Sequence, residues 1–165
     1  MKVLRNLFSL ILPVAVLIGI PALIEPDLHC PSITATIIGS LTVLSGLFIL
    51  IMTIRMFIMI GKGTLAPWDP TRKLVTASLY AHFRNPMISS VNAILFGEAL
   101  LFFSFHIFLW AILFFIINNI YFIILEEPGL ERRFGHEYIE YKKNVPRWIL
   151  RLKPWSPKEM AKEDK

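Results

Sequence analysis

Four long apolar runs constrain the fold of this 165-residue chain more than any other feature. The runs are Leu7–Ile24, Ile33–Ile60, Met87–Phe105 and Ile107–Leu125. Within them the charged side chains are Arg55 and Glu98. A transmembrane helix needs about 20 mostly apolar residues, so each run is long enough to cross a bilayer. The pattern predicts an all-α integral membrane protein with about four transmembrane helices.

The composition favours the same class. Hydrophobic residues make up 55% of the chain and charged residues 18%, with a mean hydropathy of +0.61. Soluble domains average about 45–50% apolar and about 25% charged residues. These values argue against a disordered chain and against a soluble α/β enzyme. The single cysteine, Cys30, excludes an internal disulfide and a multi-cysteine metal site, and no metal is predicted.

The first run has a second possible interpretation, because Lys2 and Arg5 precede it as they would precede the core of a signal peptide. Its apolar stretch is longer than the 7–15 residues of such a core. The segment Pro21–Pro26 also lacks a cleavage site made of small residues. A retained helix is therefore the favoured interpretation.

The last two runs meet at Ser104–His106. As one straight helix they would be about 58 Å long at 1.5 Å per residue, too long for a single crossing. A helical hairpin is predicted instead. The ends of that hairpin lie on one side of the membrane, so His82–Pro86, just before it, and Glu126-Glu127, just after it, are expected to come together in space.

The distribution of charge predicts the orientation. The segment Glu25–Ser32 contains no Lys or Arg. All 17 Lys and Arg lie before the first run, near the end of the second, in residues 61–86, or after Leu125. By the positive-inside rule those segments, including both termini, are predicted to be cytoplasmic. The net charge of +5 is then a topology signal with some attraction to anionic lipid, and a nucleic-acid partner is not expected.

Two polar segments lie on the predicted cytoplasmic side. Residues 61–86 contain three prolines, which argue against one continuous helix. After Pro128, apolar side chains recur at helical spacing and predict a C-terminal cytoplasmic amphipathic helix that ends near Pro146. This apolar stripe consists of Leu130, Phe134, Tyr138, Tyr141 and Val145. A helix lying on the membrane surface and a lid packed against the cytoplasmic loop are equally compatible with the spacing.

The chain contains an ordered set of residues that resembles the motifs of a known family. Arg84-Asn85-Pro86 precedes the predicted hairpin, and the Glu126-Glu127 pair follows it. Further matches are Leu130, Phe134, Gly135, Tyr138, Tyr141, Val145 and Pro146. Together they resemble the isoprenylcysteine carboxyl methyltransferases, which belong with the phospholipid methyltransferases, over about residues 61–152. Asn85 stands where relatives often have His, Met87 lacks the usual nearby Tyr, and Asn118-Asn119 stand where the eukaryotic carboxyl methyltransferases carry a basic residue.

The resemblance implies that S-adenosylmethionine (AdoMet) is the cofactor. It also implies that Arg84 and Glu127 are the central, catalytic residues. The cofactor-binding residues implied are Tyr80, His82, Arg84, Asn85, Pro86, Met87, Glu126 and Glu127. A guanidinium can pair with the cofactor carboxylate through two parallel hydrogen bonds, and a carboxylate can accept from ribose hydroxyls or from the ammonium group. As an alternative, Arg84 is an interfacial topology charge and the two glutamates are an exposed pair near a helix N-terminus.

The acceptor implied is lipophilic and enters from the bilayer. An isoprenylcysteine carboxylate or a lipid head group both fit, and the sequence does not separate them. Glu98 and Asn119 are candidate substrate residues. Glu98 can instead be polar glue between the hairpin helices, protonated or hydrogen-bonded to Asn92, Asn118 or Asn119.

One domain over residues 1–165 is expected. It comprises two N-terminal helices (1–60), a cytoplasmic loop (61–86), the hairpin (87–125), a C-terminal cofactor-site segment (126–155) and a solvated tail (156–165). Two other functions stay open. One is a nicotinamide-dependent membrane reductase, since sterol reductases resemble this C-terminal architecture in much longer chains. The other is a non-enzymatic membrane protein. The oligomeric state is also open.

Overall fold

The computed structural model describes residues 13–30, 32–60 and 73–156, and within those ranges it contains helices and no strand. The helices are α1 (Ala15–Ile24), α2 (Ile33–Met59), α3 (Pro86–Leu101), α4 (Phe105–Tyr121), α5 (Glu127–Phe134) and α6 (His136–Asn144). A short 3₁₀ turn, Ser78–Ala81, precedes α3, and a π-helical turn, Phe122–Glu126, joins α4 to α5. The predicted all-helical class is confirmed.

Two of the described helical stretches are long and apolar enough to cross a membrane. One is α2 with 27 residues, and the other is the continuous stretch Phe105–Phe134 with 30. The apolar helices α1 and α3 are shorter. With 16 residues, α3 is about 24 Å long, whereas the hydrocarbon core of a bilayer is about 30 Å thick. The predicted first run begins at Leu7, and residues 7–12 lie outside the described ranges. Four crossings therefore stay a prediction.

The predicted hairpin is present as α3 and α4. Pro86 occupies the first turn of α3, where its missing N–H leaves no hydrogen bond unmade. The chain turns at Phe102–Ser104, and Phe103 adopts a φ of +51° there. Ser104 then caps α4 by accepting a hydrogen bond from the Ile107 backbone N–H at 3.2 Å. The observed turn begins two residues before the predicted junction.

Glycine brings the backbones of α2 and α3 close together. A Cβ placed on Gly39 would lie 2.6 Å from the Leu101 nitrogen and 2.8 Å from the Gly97 oxygen. From the other side, a Cβ on Gly97 would lie 2.8 Å from the Val43 nitrogen. The buried core of the bundle lies beside this contact and consists of Leu50, Val91, Ile94, Leu95 and Ala111. The hairpin is thereby held in close contact with α2.

The loop after α1 meets the hairpin turn at one end of the bundle. The Ser104 hydroxyl donates to Glu25 Oε2 at 2.5 Å, and His106 Nδ1 lies 3.2 Å from the same oxygen. These hydrogen bonds hold the pKa of Glu25 below its usual value. The other end of α3 and α4 is where residues 80–86 meet the C-terminal part of the chain.

The predicted amphipathic helix is divided in two. Gly135, at a φ of +54°, separates α5 from α6, and this conformation suits a residue without a Cβ. Beyond the break, the stripe residues Tyr138, Tyr141 and Val145 are buried together with Trp155. Partly buried Leu74, Leu130 and Phe134 pack against this cluster. The apolar stripe beyond the break therefore faces protein.

Candidate active site

The carboxylate of Glu127 lies at the centre of a buried charge cluster. Its side chain is 5% exposed and meets three cations among the described residues. Oε1 lies 2.9 Å from Arg84 Nη1 and 2.7 Å from Arg147 Nη2, and Oε2 lies 3.0 Å from Lys142 Nζ. Arg147 Nε also donates to Oε1 at 2.7 Å. Charge-assisted hydrogen bonds of this kind keep a buried carboxylate ionised.

Four different parts of the chain supply this cluster. Arg84 comes from the segment before α3, Glu127 begins α5, and Lys142 lies on α6. Arg147 follows the end of α6. The π-helical turn Phe122–Glu126 immediately precedes Glu127. Such turns insert an extra residue into a helix and are frequent at functional sites, because they change the direction of the side chains that follow.

Residues 145–155, here called the C-terminal strap, run back along the segment before α3. The Arg84 backbone N–H donates to the Pro146 oxygen at 2.9 Å. The Arg151 N–H donates to the His82 oxygen at 3.0 Å. His82 Nδ1 lies 2.6 Å from the Arg151 oxygen, so that ring nitrogen carries the donated proton. His82 thus holds the strap in place.

Asn119 connects the strap to α4. Its Oδ1 accepts from Arg147 Nη1 at 3.2 Å and from Trp148 Nε1 at 3.0 Å. The Trp148 ring packs against Phe115 and Phe122, with centroid distances of 4.9 and 5.9 Å. Asn119, a candidate substrate residue, therefore uses its amide oxygen to position two strap side chains.

Buried tyrosines border the charge cluster. The Tyr138 hydroxyl accepts from Arg84 Nη1 at 3.3 Å, and the Tyr141 hydroxyl donates to the Tyr80 carbonyl at 2.6 Å. Burial raises the pKa of Tyr138, and the negative charge of Glu127 raises it further. Burial likewise raises the pKa of Tyr80 and of Tyr141. All three phenols are therefore neutral at physiological pH.

Lys142 has a pKa above its usual value, because its ammonium group bonds Glu131 and Glu127. The distance from Lys142 Nζ to Glu131 Oε1 is 2.8 Å. This ammonium group is partly exposed, in contrast to the carboxylate of Glu127. The cluster therefore has a solvent-facing edge at Lys142 and a buried edge at Arg84.

The remaining predicted cofactor residues lie around the start of α3. Pro86 is fully buried, and Met87 packs on the bundle core. Two buried donors, Arg84 Nε and Asn85 Nδ2, have no hydrogen-bond partner among the described residues. Glu126 is partly buried, and its carboxylate accepts a 3.4 Å hydrogen bond from the Tyr121 hydroxyl. The structure therefore gathers the two motif segments around one point.

Glu98 does not join them. It lies 12 residues beyond Pro86 on α3, about 18 Å along the helix axis. Glu98 was predicted to be either protonated or hydrogen-bonded to an asparagine of the hairpin, and its Oε2 is buried without a hydrogen-bond partner in the described ranges. Asn118 donates to the Phe114 carbonyl of its own helix instead.

A cavity of about 260 Å³ lies between α3 and α4 beside the strap. Its lining consists of Ser89, Asn92, Ala93, Phe96, Phe115 and Trp148. Asn92 Oδ1 is buried and lacks a partner in the described part of the chain. Ligand pockets usually measure about 300–1,000 Å³, so this cavity can hold a part of a cofactor as large as AdoMet. Arg84 and Asn85 precede the same helix but do not line the cavity, and their unpaired donors are of a type that can bind a carboxylate.

A cavity of about 330 Å³ lies at the hairpin turn, lined mostly by phenylalanine and leucine. Although it is larger, it touches Ser104 at the opposite end of the bundle from Arg84 and Glu127. It is therefore not part of the candidate site. No group of three or more His, Cys, Asp or Glu residues within the described ranges is arranged to hold a metal ion.

The sequence interpretation missed Arg147 and Trp148 and gave Lys142 no role in the site. One signal was available, because Arg147-Trp148 directly follow the Val145-Pro146 motif. A proline at the end of a helix turns the chain, and the residues after it are then placed by tertiary contacts. The helical spacing in α6 carried no such information.

The model of the phospholipid methyltransferase family matches residues 34–137. The chain belongs to the phospholipid methyltransferase family. This match covers Arg84 and Glu127 and ends before Lys142 and Arg147. No curated protein and no solved structure matches the chain. Family membership, together with the long apolar helices, supports a membrane methyltransferase that acts on a lipid-type acceptor.

Proposed function

We propose that this protein is an integral membrane methyltransferase that transfers a methyl group from AdoMet to a lipophilic acceptor, such as an isoprenylcysteine carboxylate or a lipid head group. The observation that carries the proposal is the 2.9 Å ion pair between Arg84 and Glu127. Each residue belongs to one of the two motif segments of the family resemblance. Their contact places both segments at one end of the hairpin.

AdoMet would supply a methyl group on a positively charged sulfur, which a nucleophile attacks in line. Methyl transfer depends on positioning and on the exclusion of water, so neither a metal nor a covalent enzyme intermediate is needed. Arg84 Nε and Asn85 Nδ2 would bind the cofactor carboxylate, because both donors are buried and unpaired within the described ranges. Glu126 would accept from ribose hydroxyls or from the ammonium group. Tyr80, His82, Pro86 and Met87 would border the same space.

Glu127 would position the cationic side chains around it rather than transfer a proton. Its two oxygens already meet Arg84, Lys142 and Arg147. A carboxylate held by three cations is a poor proton acceptor, since each cation stabilises its ionised form. Its role in the proposed mechanism is to hold the Arg84 guanidinium in one orientation beside the cofactor.

The acceptor determines whether a base is needed. A carboxylate is ionised near pH 7 and can attack directly. A lipid amine must first lose a proton to a nearby base. Glu126 suits that role better than Glu127 does, because its carboxylate accepts a 3.4 Å hydrogen bond from the neutral Tyr121 hydroxyl, whereas Glu127 is held by three cations. Loss of turnover in Glu126→Gln at unchanged AdoMet affinity would therefore favour an amine acceptor, whereas a parallel loss of AdoMet affinity would assign Glu126 to the cofactor.

The proposed topology has four crossings with both termini and the site on the cytoplasmic side. The positive-inside rule supports this orientation. The contact of Glu25 with Ser104 supports the crossing pattern, since it brings the loop after α1 and the hairpin turn together at one end of the bundle.

The decisive test is AdoMet binding to the purified protein, measured by calorimetry in detergent and again in lipid nanodiscs. The variants are Arg84→Ala and Glu127→Ala. Matched controls are Arg132→Ala and Glu137→Ala, because both of these charged side chains are exposed. Binding by the wild type and both controls, with at least about tenfold weaker binding by the two site variants, would support the proposal.

NADPH is the control ligand in the same experiment, and circular dichroism establishes that each sample is folded. Binding of NADPH without AdoMet would overturn the proposal in favour of a reductase. Binding of neither ligand to folded protein in nanodiscs would favour a non-enzymatic membrane protein.

A further inference from the structure

The C-terminal strap presents three aliphatic side chains outward. Ile149 is 75% exposed, Leu150 58% and Leu152 89%. Two cationic residues alternate with them, Arg151 and Lys153. Five consecutive residues thus combine large exposed apolar area with positive charge. This combination is typical of segments that lie in a membrane interface.

The three aliphatic side chains are exposed although the strap is held by contacts before and after them. Trp148 packs against Phe115 and donates to Asn119. Trp155 is buried, and its backbone N–H donates to the Ala81 oxygen at 2.9 Å. Between the two tryptophans, the Arg151 N–H is bound to the His82 carbonyl. The fold therefore holds the three aliphatic side chains outward.

The exposed part of the strap begins near the end of the apolar segment formed by α4 and the π-helical turn. Trp148 contacts Phe122, which is three residues before Leu125, the last apolar residue before Glu126. Three residues correspond to about 4.5 Å along a helix. Ile123, Ile124 and Leu125 are themselves at least half exposed, as lipid-facing side chains are. The exposed part of the strap thus begins one residue after a side chain that contacts this end of the spanning helix.

We propose that residues 149–153 are a lipid anchor that inserts Ile149, Leu150 and Leu152 into the interface of the adjacent leaflet. Arg151 and Lys153 bind the head groups of anionic lipids there. The anchor is a function separate from methyl transfer and requires the protein to be in a bilayer.

A single-cysteine fluorescent probe tests the insertion. In a Cys30→Ser background, Leu152→Cys carries the probe, and Glu137→Cys is the matched control at an exposed position on α6. The proteins are reconstituted in nanodiscs of phosphatidylcholine containing phosphatidylglycerol. We expect the probe at 152 to be quenched by a nitroxide on the lipid chain and protected from aqueous iodide, with the reverse at 137. Equal iodide quenching at 152 and 137 would overturn the proposal.

The charged residues need a second measurement. We measure the ratio of phosphatidylglycerol to phosphatidylcholine bound by the protein in mixed nanodiscs. In the double variant Arg151→Gln/Lys153→Gln, the preference for phosphatidylglycerol should fall by about fivefold per charge removed. The control Arg132→Gln should leave that preference unchanged. An unchanged preference in the double variant would overturn the lipid-charge part of the proposal. Crosslinking between copies at position 152 in nanodiscs would overturn it in favour of a self-association surface.

These readouts do not depend on AdoMet. A folded protein that binds AdoMet but leaves position 152 in water refutes the anchor alone. A protein with a buried position 152 and no AdoMet binding refutes the proposed methyl transfer alone.

Discussion

Arg84 and Glu127 are separated by 43 residues, yet their side chains form a 2.9 Å ion pair at 10% and 5% exposure. The intervening chain is the helical hairpin of α3 and α4, which leaves and returns at the same end of the bundle. The hairpin therefore brings together two short polar segments, neither of which is a site alone. Arg147 and Lys142 then complete the charges around Glu127.

Neutralising Glu127 should destabilise the protein. Glu127→Gln would leave Arg84 and Arg147 without their buried counter-charge, and such a loss costs about 3–5 kcal/mol. Thermal unfolding in detergent, followed by circular dichroism, measures the change. The control Glu137→Gln alters an exposed residue and should stay within about 0.5 kcal/mol of wild type. A Glu127→Gln protein as stable as that control would show that the cluster is not a stabilising network.

Adding one methyl group at Gly39 should separate α2 from α3. In Gly39→Ala the new Cβ would lie 2.6 Å from the Leu101 backbone nitrogen, which is closer than van der Waals contact. Because the Cβ is attached to one helix backbone and the nitrogen belongs to the other, the clash is relieved only if one helix moves. The expected loss of unfolding free energy is about 1–3 kcal/mol. Gly129→Ala is the control, since no atom lies within 4 Å of its Cβ. If both variants unfold at the same temperature, the close approach of the two helices is wrong.

Removing the amide of Asn119 should release the strap. Asn119→Leu leaves Arg147 Nη1 and Trp148 Nε1, two partly buried donors, without their acceptor, and the expected loss is about 1 kcal/mol. Limited trypsin digestion after Arg147 and Arg151 should become several times faster. The neighbouring control is Asn118→Leu, because that amide bonds within its own helix. Equal digestion rates in the two variants would contradict a positioning role for Asn119.

Alkaline pH should weaken the C-terminal cluster. The pKa of Tyr141 is raised in the folded state, whereas an unfolded tyrosine titrates near pH 10. The folded state therefore retains a proton that the unfolded chain loses, so stability is full below about pH 10 and falls as the pH rises above it. Denaturant unfolding between pH 8 and 11 measures this slope. The slope should be shallower in Tyr141→Phe, and an equal slope in that variant would exclude Tyr141 as its source.

The proposed orientation can be tested with the native cysteine. Cys30 is exposed in the loop after α1 and should react with a membrane-impermeant maleimide from outside the cell. In a Cys30→Ser background, Glu137→Cys should react only after the membrane is opened. The opposite pattern would reverse the orientation and would place the Glu127 cluster on the outer face.

Several features were predictable because they depend on local pattern. The apolar runs gave α2 and the hairpin helices within a few residues, since burial of side chains in a bilayer requires a minimum length. The predicted hairpin indicated that His82–Pro86 and Glu126-Glu127 would come together. It did not indicate that Arg84 and Glu127 would bond each other, because the choice of partner depends on the positions of Lys142 and Arg147. The break at Gly135 was also missed, since helical spacing continues across it.

The sequence by itself determined the class of this protein: long apolar runs with few charges, cations confined to particular segments, and two motif segments flanking a hairpin. These properties depend on composition and order along the chain. The tertiary structure decided which cations meet Glu127, that Asn119 holds the strap, and that Trp155 is buried with Tyr138 and Tyr141. Those outcomes depend on the distances between residues far apart in sequence, and hydrophobic periodicity carries no information about such distances.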